Sequence, residues 1–93
     1  MVTWMDLNER FQRFLHRPPS LGTGVFVAPN AVVLGDVVLG ERSSVWYHTV
    51  LRADINRILV GEGSNIQDQA VLHVSNERLC EVGRWVTIGH GAI

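Results

Sequence analysis

Ninety-three residues leave room for one domain, and 18% charged residues with a net charge of −1 set up no long-range field toward nucleic acid or anionic lipid. The lone Cys80 excludes an internal disulfide, and no apolar run approaches the roughly 20 residues of a bilayer-spanning helix. Met1–Arg10 shows no basic stretch leading into an apolar one, so no signal peptide is read and a cytoplasmic protein without membrane or nucleic-acid partners is expected.

Leu7, Phe11, Phe14 and Leu15 recur at helical spacing, with Asn8, Glu9, Gln12 and Arg13 between them. Pro18-Pro19 ends any such helix, because proline lacks the N–H and collides with the preceding turn. Residues 1–20 are therefore expected to form an N-terminal arm or short helix packed on a body comprising residues 21–93.

From Val27 onward the pattern changes. Steps of six land on Val27, Val33, Leu39, Val45 and Leu51. After three inserted residues they resume at Val60, Ile66 and Leu72, and after four more at Val82 and Ile88. All ten are aliphatic. Four positions after each, the chain is mostly small (Ala31, Val37, Ser43, Thr49, Ser64, Ala70, Val86, Ala92), and glycine recurs one position after (Gly40, Gly61, Gly83, Gly89). Faces of an α-helix recur near 3.6 residues and those of a plain strand every two, so a period of six excludes both. It predicts an all-β fold, a parallel β-helix of hexapeptide repeats coiled as a triangular prism, with about three and a half coils and the last incomplete.

Three hexads per coil place residues in columns. One column reads Leu34, Arg52, His73 on the second face. Another reads Pro29, Tyr47, Asp68, His90 on the first, with Gln67 beside Asp68. His73 and His90 thus stand on different faces and do not obviously converge within one subunit, whereas an outward histidine of one prism could meet one of another across a crevice between subunits. A flat-sided prism packs naturally about a threefold axis, so a homotrimer is the simplest closed assembly.

The segments Leu51-Arg52-Ala53-Asp54, Ser64-Asn65-Ile66-Gln67-Asp68, Val71-Leu72-His73 and Val86-Thr87-Ile88-Gly89-His90 occur in that order. Together they resemble the pattern of γ-class carbonic anhydrases and their hexapeptide-repeat relatives, from about Gly22 to Ile93. The resemblance implies a left-handed prism and a Zn²⁺ (or Fe²⁺ or Co²⁺) site at a trimer interface, with His73 and His90 as metal ligands. It further implies reversible hydration of CO₂ to bicarbonate, with Gln67 orienting the attacking hydroxide. Arg52, Asp54 and Asp68 would form charge pairs across the interface; read by themselves, Arg52 and Asp54 also suit a solvated pair on one strand, and Gln67 and Asp68 a polar ladder at a corner.

In two respects the chain departs from that pattern. The third histidine of the family would fall two positions past Ile93, stacked above His73, so two imidazoles alone are expected to bind metal weakly. Ile55 stands where the archetypal members carry a glutamate, leaving Glu77 as a substitute proton shuttle. The open last coil suggests a fragment or shortened gene product. His16 and His48 match no ligand position, Cys80 is read as incidental, and Trp46 and Trp85 are large outward residues suited to covering an interface. Alternatives to catalysis are a non-catalytic trimeric assembly or docking module of the same fold and, less well matched, a hexapeptide acyltransferase.

Overall fold

Residues 6–93 are described by a computed structural model; the first five positions of the expected N-terminal arm, and of the stretch read as lacking a signal peptide, lie outside the described residues. The Asp6 carboxylate accepts the Glu9 N–H at 2.8 Å and caps helix α1 (Leu7–Arg10). The helix continues as a π-helical turn, Phe11–Leu15, and stops at His16, ahead of the two prolines. The expected apolar stripe holds at Phe14, which is buried, and fails at Leu7, which is 56% exposed. Arg10 takes the inner place instead: the wider π turn rotates the buried face, and the arginine stem lies against the body while its Nη1 donates to the Ile55 carbonyl at 2.8 Å.

Nine strands follow: β1 (Ser20–Leu21), β2 (Phe26–Val27), β3 (Val32–Leu39), β4 (Ser44–Val45), β5 (Val50–Val60), β6 (Asn65–Ile66), β7 (Val71–His73), β8 (Cys80–Val82) and β9 (Thr87–Ile88). All of their pairings are parallel. Parallel strands without intervening helices require the chain to coil, and the register shows that it does. Val27, Val45, Ile66 and Ile88 are successive partners, as are Val33, Leu51 and Leu72, and Leu39, Val60 and Val82. Every aliphatic beat of the sequence therefore lies in a strand and stacks on the beat of the next coil. These residues make up most of one continuous core, with Leu39, Val45, Leu51 and Ile66 fully enclosed. The fold is the expected parallel β-helix. The strand stack starts one hexad earlier than the beat, since Leu21 pairs with Leu39.

Strands and corners do not alternate uniformly. β3 and β5 each run unbroken around one corner, so two walls of the prism form a single sheet of β1, β3, β5, β7 and β8, and the third wall is the sheet β2-β4-β6-β9. Elsewhere the small residues turn the chain. Ser43, Thr49 and Ser64 are buried, and their hydroxyls donate to the carbonyls of Gly40, Gln67 and Gly83. Glycine opens the turns that Ser43 and Ser64 close, because coil backbones meet there: a β-carbon on Gly40 would lie 2.8 Å from the Glu62 nitrogen, and one on Gly61 would lie 2.5 Å from the Gly83 carbonyl.

Both insertions emerge at one edge. Gly35 pairs with Ala53 but Val37 pairs with Ile58, so Asp54–Arg57 bulge from β5. The segment after β7 closes on itself, with the Ser75 N–H donating to the Arg78 carbonyl and the Arg78 N–H to Ser75 Oγ, both at 3.1 Å. Asn56 Nδ2 donates to the Ser75 carbonyl at 3.2 Å and ties the two together. Among the described residues no helix is long and apolar enough to cross a membrane.

Candidate functional site

Arg52 and His73 are register partners on adjacent strands, so both side chains leave the same outer wall. Asp54 follows Arg52 by two residues and opens the β5 bulge. Its two oxygens have separate partners: Oδ2 accepts Arg52 Nη1 at 3.0 Å, and Oδ1 lies 3.0 Å from His73 Nε2. The Asp54 side chain is 12% exposed, against 50% for Arg52 and 36% for His73. A largely enclosed carboxylate thus sits beneath two outward cationic or polar groups. An ionised carboxylate only accepts hydrogen bonds, so the imidazole must carry its proton on Nε2 and, when neutral, directs the lone pair of Nδ1 elsewhere.

The bulge that carries Asp54 is pinned along its length. Arg10 holds the Ile55 carbonyl, Asn56 Oδ1 accepts the Arg57 N–H at 2.9 Å, and Arg57 Nε reaches Asp36 Oδ2 at 3.2 Å. Asp54 is therefore held from below, and its hydrogen bond in turn orients His73, the arrangement by which an outer carboxylate fixes a ligating imidazole.

Gln67, Asp68 and His90 occupy the neighbouring wall, just past β6 and β9. The Gln67 N–H donates to the Ile88 carbonyl, and the Asp68 carbonyl accepts the Gly91 N–H, both at 3.0 Å, which stacks Asp68 and His90 in one column. Gln67 and Asp68 are half-buried and His90 is exposed. Among the described residues their side chains make no hydrogen bond or ion pair within the chain, in contrast to Arg52, Asp54 and His73. The structure thus brings three of the six expected site residues into contact and leaves the other three on a separate wall.

Among the described residues, no group of three His, Cys, Asp or Glu side chains is placed to hold a metal ion. The imidazole donors suit a first-row divalent cation in kind, while a single chain falls short in number. Glu77 is exposed in the loop after β7. His48 occupies a corner with φ 58°, its N–H donating to Asn30 Oδ1 at 3.1 Å, and His16 ends the helical segment. Trp85 is 67% exposed, at another left-handed corner, with the Arg42 guanidinium 5.7 Å from its ring. Trp46 lies between Phe26 and Tyr47, with ring centroids 4.8 and 6.2 Å away. Sequence reasoning passed over Arg10, Asp36, Asn56 and Arg57, which anchor the bulge; the interruption of the six-residue beat after Leu51 was the one signal marking the last two.

Comparison with known proteins places these features in a family context. Residues 18–53 match the family described as bacterial transferase hexapeptide (six repeats). The chain is 48% identical to γ carbonic anhydrase 3, mitochondrial, of Arabidopsis thaliana over 83% of its own length and 32% of that protein. It is 45% identical to a probable carbonic anhydrase of Methanocaldococcus jannaschii, over 78% of this chain and 46% of the relative. A crystal structure of a hexapeptide transferase family protein from Anaplasma phagocytophilum superposes with a TM-score of 0.73 at 48% identity, covering 78% of this chain and 42% of that one. The similarity to γ carbonic anhydrases therefore runs through most of the chain, while the chain spans only a third to a half of the length of these relatives.

Proposed function

We propose that this chain forms part of a γ-carbonic-anhydrase-type centre, shared between chains of a homotrimer, for the metal-dependent reversible hydration of CO₂ to bicarbonate. The observation that carries the reading is the His73–Asp54–Arg52 array: an outward imidazole oriented by an enclosed carboxylate, in a chain 45–48% identical to carbonic anhydrases. In this proposal His73 and His90, on separate walls, act as ligands from different chains. Bound there, Zn²⁺, Fe²⁺ or Co²⁺ supplies Lewis acidity that brings the pKa of water toward 7. Asp54 keeps His73 in one tautomer, and Arg52 holds Asp54 in place. The Gln67 amide, half-buried and without a side-chain partner among the described residues, orients the nucleophile beside CO₂. Asp68 lies on the wall of His90 and takes a cation of the adjoining chain.

The test combines three measurements on one preparation: metal per chain after growth with zinc or iron, sedimentation mass, and stopped-flow CO₂ hydration, each repeated for His73→Ala. Metal-dependent hydration by a trimer, abolished in the variant, supports the proposal. A trimer with neither metal nor activity rejects it.

A second reading, a non-catalytic assembly module of the same fold, is favoured by one observation: the large apolar side chains Phe26, Tyr47 and Trp85 stand exposed on the prism. Under that reading the His73→Ala, His90→Ala double variant assembles unchanged and has no metal to lose.

A further inference from the structure

Away from the imidazoles, a cleft of about 170 Å³ separates the N-terminal helical segment from the β5 bulge, lined by Arg13, Phe14, Arg17, Asp36 and Arg57. Three arginines from two parts of the chain line it together with one aspartate. Arg57 is committed to Asp36, which is buried, through the 3.2 Å pair. Arg13 and Arg17 have no acidic partner among the described residues; Arg13 lies over the Phe14 ring, 5.5 Å from its centroid. The cleft accordingly carries two positive charges in excess, in a chain whose net charge is −1. An anion in the cleft is attracted by both uncommitted arginines that line it, and planar guanidinium forks match oxyanions in pairs of hydrogen bonds. The volume is several times the roughly 30 Å³ that a water takes up in the liquid, enough for a tetrahedral oxyanion.

We infer that this cleft binds a doubly charged oxyanion, phosphate or a phosphomonoester, through Arg13 and Arg17 with Arg57 on the side of the bulge. A charge of −2 balances the excess, whereas bicarbonate or chloride leaves one cation unpaired. Because Arg57 belongs to the same bulge as Asp54, the bound anion also braces the segment beneath His73, a consequence independent of whether His73 binds metal.

The test is calorimetric titration of the whole chain at fixed ionic strength with inorganic phosphate, phenyl phosphate, bicarbonate and chloride. Saturable binding of phosphate or phenyl phosphate is expected, whichever binds tighter naming the source, with bicarbonate and chloride weaker. Arg13 and Arg17 are exposed, so the double variant Arg13→Gln, Arg17→Gln is expected to fold and to lose at least ~10-fold in affinity, the scale of a lost charged hydrogen bond. Asp36→Asn changes the balance in the other direction and tightens binding. Phosphate that does not saturate at millimolar concentration, or binds the double variant as well as the parent, overturns the inference. So does bicarbonate binding as tightly as phosphate.

Discussion

Nε2 of His73 stands 3.0 Å from Oδ1 of Asp54, across a bulge that three other side chains hold in place. The carboxylate does two things with two oxygens. One selects the imidazole tautomer, and the other keeps Arg52 against the wall. An imidazole aimed in this way loses little orientational freedom when Nδ1 takes a further partner, which is the physical content of a preorganised ligand.

Asp54→Asn keeps the shape and removes the charge. The expected result is a smaller fraction of the Nε2–H tautomer of His73, read from imidazole ¹⁵N shifts in the metal-free protein. Where metal binds the parent, affinity falls by about 10–100-fold in the variant. An unchanged tautomer population would show that the imidazole is oriented by something else.

The beat of the prism predicts where truncation hurts. Ile66 is completely enclosed, so Ile66→Ala is expected to cost about 2–5 kcal/mol in urea unfolding. Leu7, on the expected apolar stripe of the N-terminal helix but 56% exposed, is expected to shift stability by no more than about 0.5 kcal/mol on truncation. Equal losses at the two sites would contradict the assignment of the core.

Two glycines separate close approach from mere permissiveness. At Gly35, φ is +86°, and a β-carbon would fall on the Ala53 carbonyl, well inside van der Waals contact. Gly35→Ala is expected to cost about 3 kcal/mol or more, combining backbone strain with overpacking. Gly89 has open space around it, and Gly89→Ala is expected to be nearly neutral. Thermal melts of the pair, taken side by side, are the measurement.

Burial raises the Cys80 thiol above its ordinary pKa. Less thiolate is then present at pH 8 than in a free cysteine, so alkylation by iodoacetamide is expected to be slower than in the unfolded chain. The sign for stability follows: the folded state holds the proton longer, so this contribution is complete below the unfolded thiol pKa of about 8.5 and is lost as pH rises through the folded value. Alkylation rates with and without urea, measured against pH, check both statements.

The residues named in advance divide according to how local their cause is. Val27 through Ile88 were legible because an inward aliphatic residue every sixth position has one simple physical meaning, and a mismatch of even one residue would turn the whole set outward. The Leu34, Arg52, His73 column followed from the same counting. Arg10 did not, because its burial depends on a π turn and on a carbonyl in a bulge 45 residues away. The corner residues with positive φ, Arg42, His48, Gln69 and Trp85, were equally hidden, since in these side chains nothing requires that backbone conformation.

Periodicity alone thus determined the coil, its inward face and the columns along which polar side chains line up, because stacking of like on like follows from chain geometry. Only the tertiary structure decided which of those polar groups meet. Inserted residues obey no period, and it is the folding of Asp54–Arg57 against Arg10, Asp36 and Ser75 that brings a carboxylate under one of the two histidines.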